Sequence, residues 1–349
     1  CIVSYGGPQS NAMVALAAIV NYKNRQVTNM NNEDDVDGDD DDDEYVNGDE
    51  NPQPYQFIYY TKKLPRFLRN QPSGNLFRAR TLGMDLKELS VDDYNRIFAH
   101  AEDGTNRAVE ELEVPKAGKS LFVPQGGAFS AARDGAFRLA QEIYDFWTNS
   151  EHSHLPLSVC VPGGTCSTAL LVHHGLKALA TGDADIEVVV IPCVGNELYA
   201  RRQMMSLNSQ IGMETSDIPT ILRPVPDSET VDGDSRSKKS RYFTFGKPHK
   251  DILQTFKELR DKYDMNVDLL YGAPTWTILW RHWATVGLEN DVISPDLTFD
   301  PYSPLAGREI MYVHSGGLEG VSSQMLRYKY DGLVKVSDVQ LPGKQSRNR

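Results

Sequence analysis

Apolar and polar positions follow two rhythms along this chain. Short runs rich in β-branched and aromatic residues recur: "YQFIYY" from Tyr55, "SLFV" from Ser120, "LSVCV" from Leu157, "IEVVVIPCV" from Ile186 and "EIMYV" from Glu309. "VDLLYGAP", from Val267, reads as a further strand end. Between them lie stretches whose apolar residues return every three or four positions. These are "AMVALAAIVNY", "NLFRARTLG", "AFSAARDGAFRLAQEIYDFWTN", "TALLVHHGLKALA", "HKDILQTFKELRDKY" and "TWTILWRHWATV". The first rhythm predicts strands and the second amphipathic helices. Several strands are apolar at consecutive positions, as expected where both faces of a sheet are covered by helices. The alternation therefore predicts an α/β protein of three-layer open sheets, mostly parallel. Met204 to Tyr242 is polar and rich in Ser, Asp and Pro, and is read as an irregular surface excursion.

Composition adds limits. At 349 residues and 40% hydrophobic, the chain can form two domains. The boundaries expected are a smaller α/β domain over 1–118 and a larger one over 119–349. The net charge of −12 argues against nucleic acid or an anionic membrane as partner. Much of that charge lies in an insert over 29–54, where "NMNNEDDVDGDDDDDEYVNGDE" has too little apolar surface to order itself. It lacks the ligand spacing and closing Glu of a calcium loop and is read as a solvated surface insertion. Four cysteines do not make a disulfide framework, so an intracellular reducing compartment is expected. No stretch approaches the roughly 20 apolar residues of a membrane span. The chain opens on Cys1 with an apolar run that reads as the second half of a strand, and is expected to be N-terminally incomplete.

Chemistry concentrates where strands run into glycines: Gly6-Gly7, Gly126-Gly127, Gly163-Gly164 and Gly316-Gly317. Any one pair can simply permit a tight turn. In open α/β sheets, however, ligands bind at the carboxyl ends of strands, where these pairs fall. "PGGTCST", from Pro162, offers glycines, a helix start and the hydroxyls of Thr165, Ser167 and Thr168. No Lys follows the glycines, so it suits one phosphate better than a nucleotide triphosphate. "GGPQSN", from Gly6, places Gln9, Ser10 and Asn11 at another helix start. One of them can be an N-cap. Three beside two glycines are in excess of that need, and a bound carboxylate would account for the excess. A phosphate and a carboxylate at one sheet mouth point to a phosphorylated cofactor carrying an amino acid.

"GGPQSN", "VPQGGAFSAARDGAFRLAQEI", "SVCVPGGTCSTALLVHHGL", "YFTFGKP", "LLYGAPTW" and "IMYVHSGGLEG" come in the order and rough spacing of one family. The chain resembles the fold-type II (tryptophan synthase β-like) pyridoxal-phosphate enzymes, in the branch of aminocyclopropane-carboxylate deaminase and D-cysteine desulfhydrase. The resemblance implies pyridoxal 5′-phosphate in a cleft between two α/β domains, a small amino-acid substrate and a homodimer. It implies Gln9, Ser10 and Asn11 around the substrate carboxylate, and Gly163, Gly164, Thr165 and Ser167 near the cofactor phosphate. Tyr271 matches a family tyrosine, and Ser315 falls where a hydroxyl can meet the pyridine nitrogen.

The chain departs from the deaminase pattern at three places. Phe245 stands where deaminases carry a tyrosine, Gly272 follows Tyr271 where they carry Glu, and Ser315 stands where they tend to carry Leu. All three lean away from ring opening and toward β-elimination of a substituent such as thiol from a D-amino acid. The family's Schiff-base lysine lies upstream of the carboxylate turn, and the first lysine here is Lys23. A non-catalytic pyridoxal-phosphate or metabolite-binding protein is the alternative.

Other candidates have plainer readings. Cys166 at a helix start would have a lowered pKa, but no His partner is evident. His173 and His174 are adjacent on a helix, about 100° apart, so they are read as structural and no metal is expected. Trp276, Trp280 and Trp283 have helical spacing and are read as core. His152 and His154 fall in a polar loop.

Overall fold

The computed structural model describes residues 1–33, 54–98, 111–112, 120–180, 184–224, 242–284, 298–299 and 303–335. The chain divides into two compact units, Cys1–Gly126 and Gly127–Arg349. Both are built on parallel sheets with helices on each face, the α/β architecture the apolar runs predict.

The first unit has strands β1 (Ile2–Tyr5), β2 (Phe57–Lys62), β3 (Asp85–Leu89) and β4 (Leu121–Val123) in the order β3-β2-β1-β4. Every pairing is parallel. One face of the sheet, with Phe57 and Tyr59, packs on Met13, Ala17 and Val20 of α1 (Asn11–Glu33) and on Leu76 and Ala79 of α3 (Gly74–Thr81). The short α2 (Arg66–Asn70) adds Leu68 to the same cluster. The other face presents Val3, Tyr5, Ile58 and Tyr60 to Ile97 and Phe98 of α4 (Val91–Phe98). The period-two alternation of strand side chains divides these residues between two cores. Of the acidic insert, Asn29–Glu33 continue α1, and residues 34–53 lie outside the described residues.

The second unit orders its sheet β10-β5-β6-β7, again all parallel. Its strands are β5 (Leu157–Gly163), β6 (Ile186–Pro192), β7 (Thr220–Ile221) and β10 (Glu309–Tyr312). Val159, Val161, Val188 and Val190 face α5 (Arg133–Thr148), α6 (Ser167–Leu179) and α7 (Glu197–Gln210). Cys160, Val189 and Ile191 face the other way, onto Ile278 and Leu279 of α9 (Gly272–His282). Helices α8 (Lys250–Tyr263), α9 and α10 (Val321–Tyr330) enclose a further core around Phe256, Leu259 and Tyr328. A short antiparallel pair, β8 (Trp283–Ala284) and β9 (Thr298–Phe299), follows α9. Trp276 stacks on Trp283 at 6.3 Å and packs against both cores that α9 touches.

At the sheet edge Arg308 fastens β10 to its neighbours. Its guanidinium donates to the Leu157 carbonyl (2.9 Å), the Ser158 hydroxyl (2.9 Å) and the Asp185 carboxylate (2.8 and 3.0 Å).

Two segments differ from the sequence reading. Met204–Gln210 lie within α7, and Thr220–Ile221 form edge strand β7, so the supposed excursion is regular at its start. The helix was hidden because its apolar residues do not keep to one face: Ala200, Met204 and Leu207 are buried together with polar Asn208, while Leu198 and Met205 are exposed. Residues 225–241 of that stretch lie outside the described residues. Val267–Leu270 is a buried turn rather than a strand end, because the Asp268 carboxylate takes the amides a neighbouring strand would have taken.

Candidate active site

In the second unit the carboxyl ends of β5, β6 and β10 lie along one edge of the sheet, since all three run parallel. The loop after β5 is the Gly163–Ser167 turn. A Cβ on Gly163 would stand 2.8 Å from Val190 and 3.0 Å from the Cys166 sulfur, and one on Gly164 would stand 3.2 Å from the Tyr271 ring. Both glycines are therefore fixed by close approach rather than by a need for flexibility. Cys166 sits in the left-handed region at φ 61°, and α6 starts at the next residue with no side chain capping it. A left-handed residue ahead of a helix turns successive amides toward one point, where an anion binds. The Thr165 and Ser167 hydroxyls meet at 2.8 Å beside these amides. The glycine cradle, the uncapped amides and the paired hydroxyls fit a single phosphate group.

The Cys166 thiol does not behave as a helix-start thiol. Its side chain is buried beneath Gly163, and burial pushes its pKa up to about 12. Desolvation outweighs the helix N-terminus here and leaves no thiolate nucleophile. Burial likewise pushes Cys160 and Cys193 up to about 12.

Tyr271 is positioned by a residue that carries no motif signal. Asp268 is buried, and its Oδ1 accepts from the amides of Leu270 (2.7 Å) and Tyr271 (2.8 Å) while Oδ2 accepts from Gly272 (2.9 Å). One carboxylate thus satisfies three donors at the start of α9. Burial raises its pKa, against the pull of the three amides and His314. Gly317, at φ 89°, leaves room for Asp268: a Cβ there would approach the Asp268 side chain to 3.2 Å. The Tyr271 carbonyl accepts from the Cys193 thiol at 3.6 Å, and the thiol also meets the Thr275 hydroxyl at 3.4 Å. The Tyr271 phenol is raised well above its ordinary pKa, chiefly by burial, so it holds its proton at neutral pH. The Phe245 ring lies 5.5 Å from that of Tyr271. Ser315 follows β10, whose Tyr312 pairs with Cys160 of β5, so it occupies the same sheet edge.

In the first unit Gln9 and Ser10 lie between β1 and α1, and Asn11 is the first residue of α1. The Ser10 hydroxyl accepts from the Met13 amide (3.3 Å), an N-cap-like bond. Gln9 donates to the Ser73 carbonyl (3.0 Å) and accepts from the Asn75 amide (2.9 Å). Buried Asn75 donates to the Gln9 carbonyl (3.1 Å) and the Asn11 side chain (2.8 Å). Asn75 therefore holds the turn, and much of its polarity is taken up in holding it. The turn residue Gly6 is also required: a Cβ on it would stand 2.5 Å from the Tyr59 hydroxyl.

The structure thus groups Gly163, Gly164, Thr165, Ser167 and Tyr271 around one turn, and Gln9, Ser10 and Asn11 around another. Sequence reasoning missed Asp268 and Asn75. "D-L-L-Y" and "S-G-N" carried the signal only as an Asp and an Asn close to glycines. The histidine pair also behaves unexpectedly. Adjacent positions on α6 start about 100° apart, yet both rings reach Asp217, at 3.0 Å from His173 and 3.4 Å from His174.

Comparison with solved structures decides the fold. A crystal structure of an ACC deaminase homologue superposes with a TM-score of 0.57 at 16% identity, over 95% of this chain and 78% of that one. The chain has the fold-type II α/β fold. Two further structures match less well. An O-acetylserine-dependent cystathionine β-synthase from Helicobacter pylori gives 0.39 at 11% identity, over 80% of this chain and 68% of that one. A fungal L-serine ammonia-lyase from Rhizomucor miehei gives 0.38 at 14%, over 78% and 74%. No family model matches the sequence, and no curated protein matches it. Among the described residues no helix is long and apolar enough to cross a membrane.

Proposed function

We propose that this protein is a pyridoxal-phosphate-dependent lyase or deaminase of a small amino acid, with β-elimination from a D-cysteine-like substrate as its reaction. The observation that carries the reading is the Gly163–Ser167 cradle closed by Tyr271, in a chain with this fold. When bound, the cofactor supplies the electron sink that acidifies the substrate Cα–H. The Gly163 and Gly164 turn, with the Thr165 and Ser167 hydroxyls, holds its phosphate. Ser315 offers a hydroxyl to the ring nitrogen. Gln9, Ser10 and Asn11 form the turn for the substrate carboxylate, which Asn75 keeps in shape.

Tyr271 keeps its phenolic proton, so its role is to donate, not to abstract. Its Oη is suited to donating a hydrogen bond that steadies a departing thiolate, while the proton stays on the phenol. Phe245 beside it has no hydroxyl, which counts against a second phenol acting as nucleophile in ring opening. The family's arrangement further implies a homodimer.

The test uses this chain and a form extended upstream through its reading frame. Each is mixed with pyridoxal phosphate, reduced with borohydride and mapped for a labelled lysine. Sulfide release is then measured with D-cysteine, L-cysteine and aminocyclopropane-carboxylate. One stoichiometric label with sulfide from D-cysteine supports the proposal. Binding that Gly164→Val abolishes, with no label in either form, identifies the non-catalytic binding protein instead. No binding by either form refutes both.

A further inference from the structure

Midway along α6, His173 and His174 come together with Asp217 and bring three ligand atoms within 4.8 Å of one another. The hydrogen bonding around His174 makes this more than proximity. Asn208 is buried, and its side-chain amide donates to two carbonyls, Glu214 (2.9 Å) and Asp217 (2.8 Å). Those bonds fix the amide's orientation, so its Oδ1 is an acceptor and takes its hydrogen from His174 Nε2 at 2.8 Å. In the neutral ring the lone pair is then on Nδ1, which faces the Asp217 Oδ2 at 3.4 Å. Two acceptors confront one another at a buried position, and a cation between them removes the conflict.

We propose that His173, His174 and Asp217 form a zinc site that ties α6 to the loop ahead of β7. Two imidazoles and one carboxylate are a borderline donor set, which suits zinc rather than calcium or magnesium. Ligand atoms of a tetrahedral zinc are about 3.3–3.5 Å apart, given bond lengths of about 2.0–2.1 Å. The separation of 3.4 Å between His174 Nδ1 and the carboxylate falls within that spacing, and that of 3.0 Å from His173 Nε2 lies a little below it. Asn208 supplies the outer hydrogen bond that orients a metal-bound histidine. His173 also lines a cavity of about 150 Å³ with Glu187, Thr220 and Lys177, through which water and a metal ion can reach it. Lys177 is the competitor: its ammonium lies 2.7 Å from Asp217 Oδ1, on an exposed and flexible stem that can swing away.

The experiment is calorimetric titration of the chelator-treated full chain with zinc chloride in excess calcium, which competes for any site made of carboxylates alone. A parallel titration uses cobalt(II) and reads its visible spectrum. One equivalent of zinc and the intense bands of tetrahedral cobalt are expected. His173→Gln and Asp217→Asn weaken binding about 100-fold or more, and Asn208→Ala about tenfold. Lys177→Met tightens it several-fold by removing the competing charge. His173 is only half-buried, so its variant keeps the test open if changes at His174 unfold the chain. Circular dichroism melts of each variant establish that it is folded. No zinc uptake overturns the proposal. Uptake indifferent to both His173→Gln and Asp217→Asn overturns it equally, by placing the metal elsewhere.

Discussion

Replacing Asp268 with Asn tests how the Tyr271 turn is held. The carboxylate serves three amides, two through Oδ1 and one through Oδ2. Asparagine keeps Oδ1 but puts an NH₂ where Oδ2 met the Gly272 amide at 2.9 Å, so two donors confront each other. A buried donor left without a partner costs about 1–3 kcal/mol. The two remaining bonds fall from charge-assisted to neutral, about half the strength. Relief from burying a charge, shown by the raised pKa of Asp268, offsets part of the loss. The net expectation for Asp268→Asn is a destabilisation of about 2 kcal/mol. Asp268→Ala orphans all three amides and is expected to cost about 4 kcal/mol, on the same scale for each donor. Urea unfolding at pH 7, followed by circular dichroism, reads both values. An Asn variant within about 0.5 kcal/mol of the parent would refute the reasoning, since it would mean water satisfies the amides instead.

Other outcomes follow from the same geometry. Gly164→Val is expected to displace the Tyr271 ring and abolish pyridoxal-phosphate binding while the chain stays folded, as read by fluorescence titration beside a thermal melt. Gly163→Ala meets Val190 at 2.8 Å and the Ile191 carbonyl at 3.3 Å, and overpacking of this kind costs about 1–3 kcal/mol in a denaturant titration. Asn75→Ala removes the two side-chain bonds to Gln9 and Asn11 and should lower the melting temperature by several degrees, at about 1–3 kcal/mol. Cys160, Cys166 and Cys193 have folded pKa values of about 12 against 9.0. Their contribution is complete below pH 9 and disappears as pH rises toward 12, at about 1.4 kcal/mol per unit for each thiol. Melts under reducing conditions at pH 8 and 10.5 should differ sharply. Equal stability at both would show that the thiols are not buried.

The layers were legible because the cores on both faces of each sheet require unbroken apolar runs, as in Val188 to Ile191. Glycine pairs marked strand ends for a related reason: at Gly163 and Gly164 a neighbouring side chain occupies the space of a Cβ. What the pattern did not reveal is where polar residues act through backbone amides. Asp268 looks like one polar residue in an apolar run until its three amide bonds are seen. The excess polarity of "QSN" was visible, but Asn75, some sixty positions later, draws part of it inward. Cys166 shows the opposite failure: its place at a helix start was correct, and its burial was not readable from spacing.

The pairing of β10 with β5 has a consequence for how the chain is made. Val159 of β5 meets Met311 of β10, so the strand's outer edge lacks its partner until residues near 311 have been synthesised. During translation β5 therefore offers an unpaired row of amides and carbonyls beside an apolar face, the template on which chains aggregate. Contacts so distant in sequence also form slowly. Arg308 arrives just ahead of β10 and reaches Leu157 and Ser158 at once, which makes it the latch that ends this vulnerable interval. Ribosome-stalled chains ending before Arg308 should be captured by chaperones that release the chain once β10 has emerged.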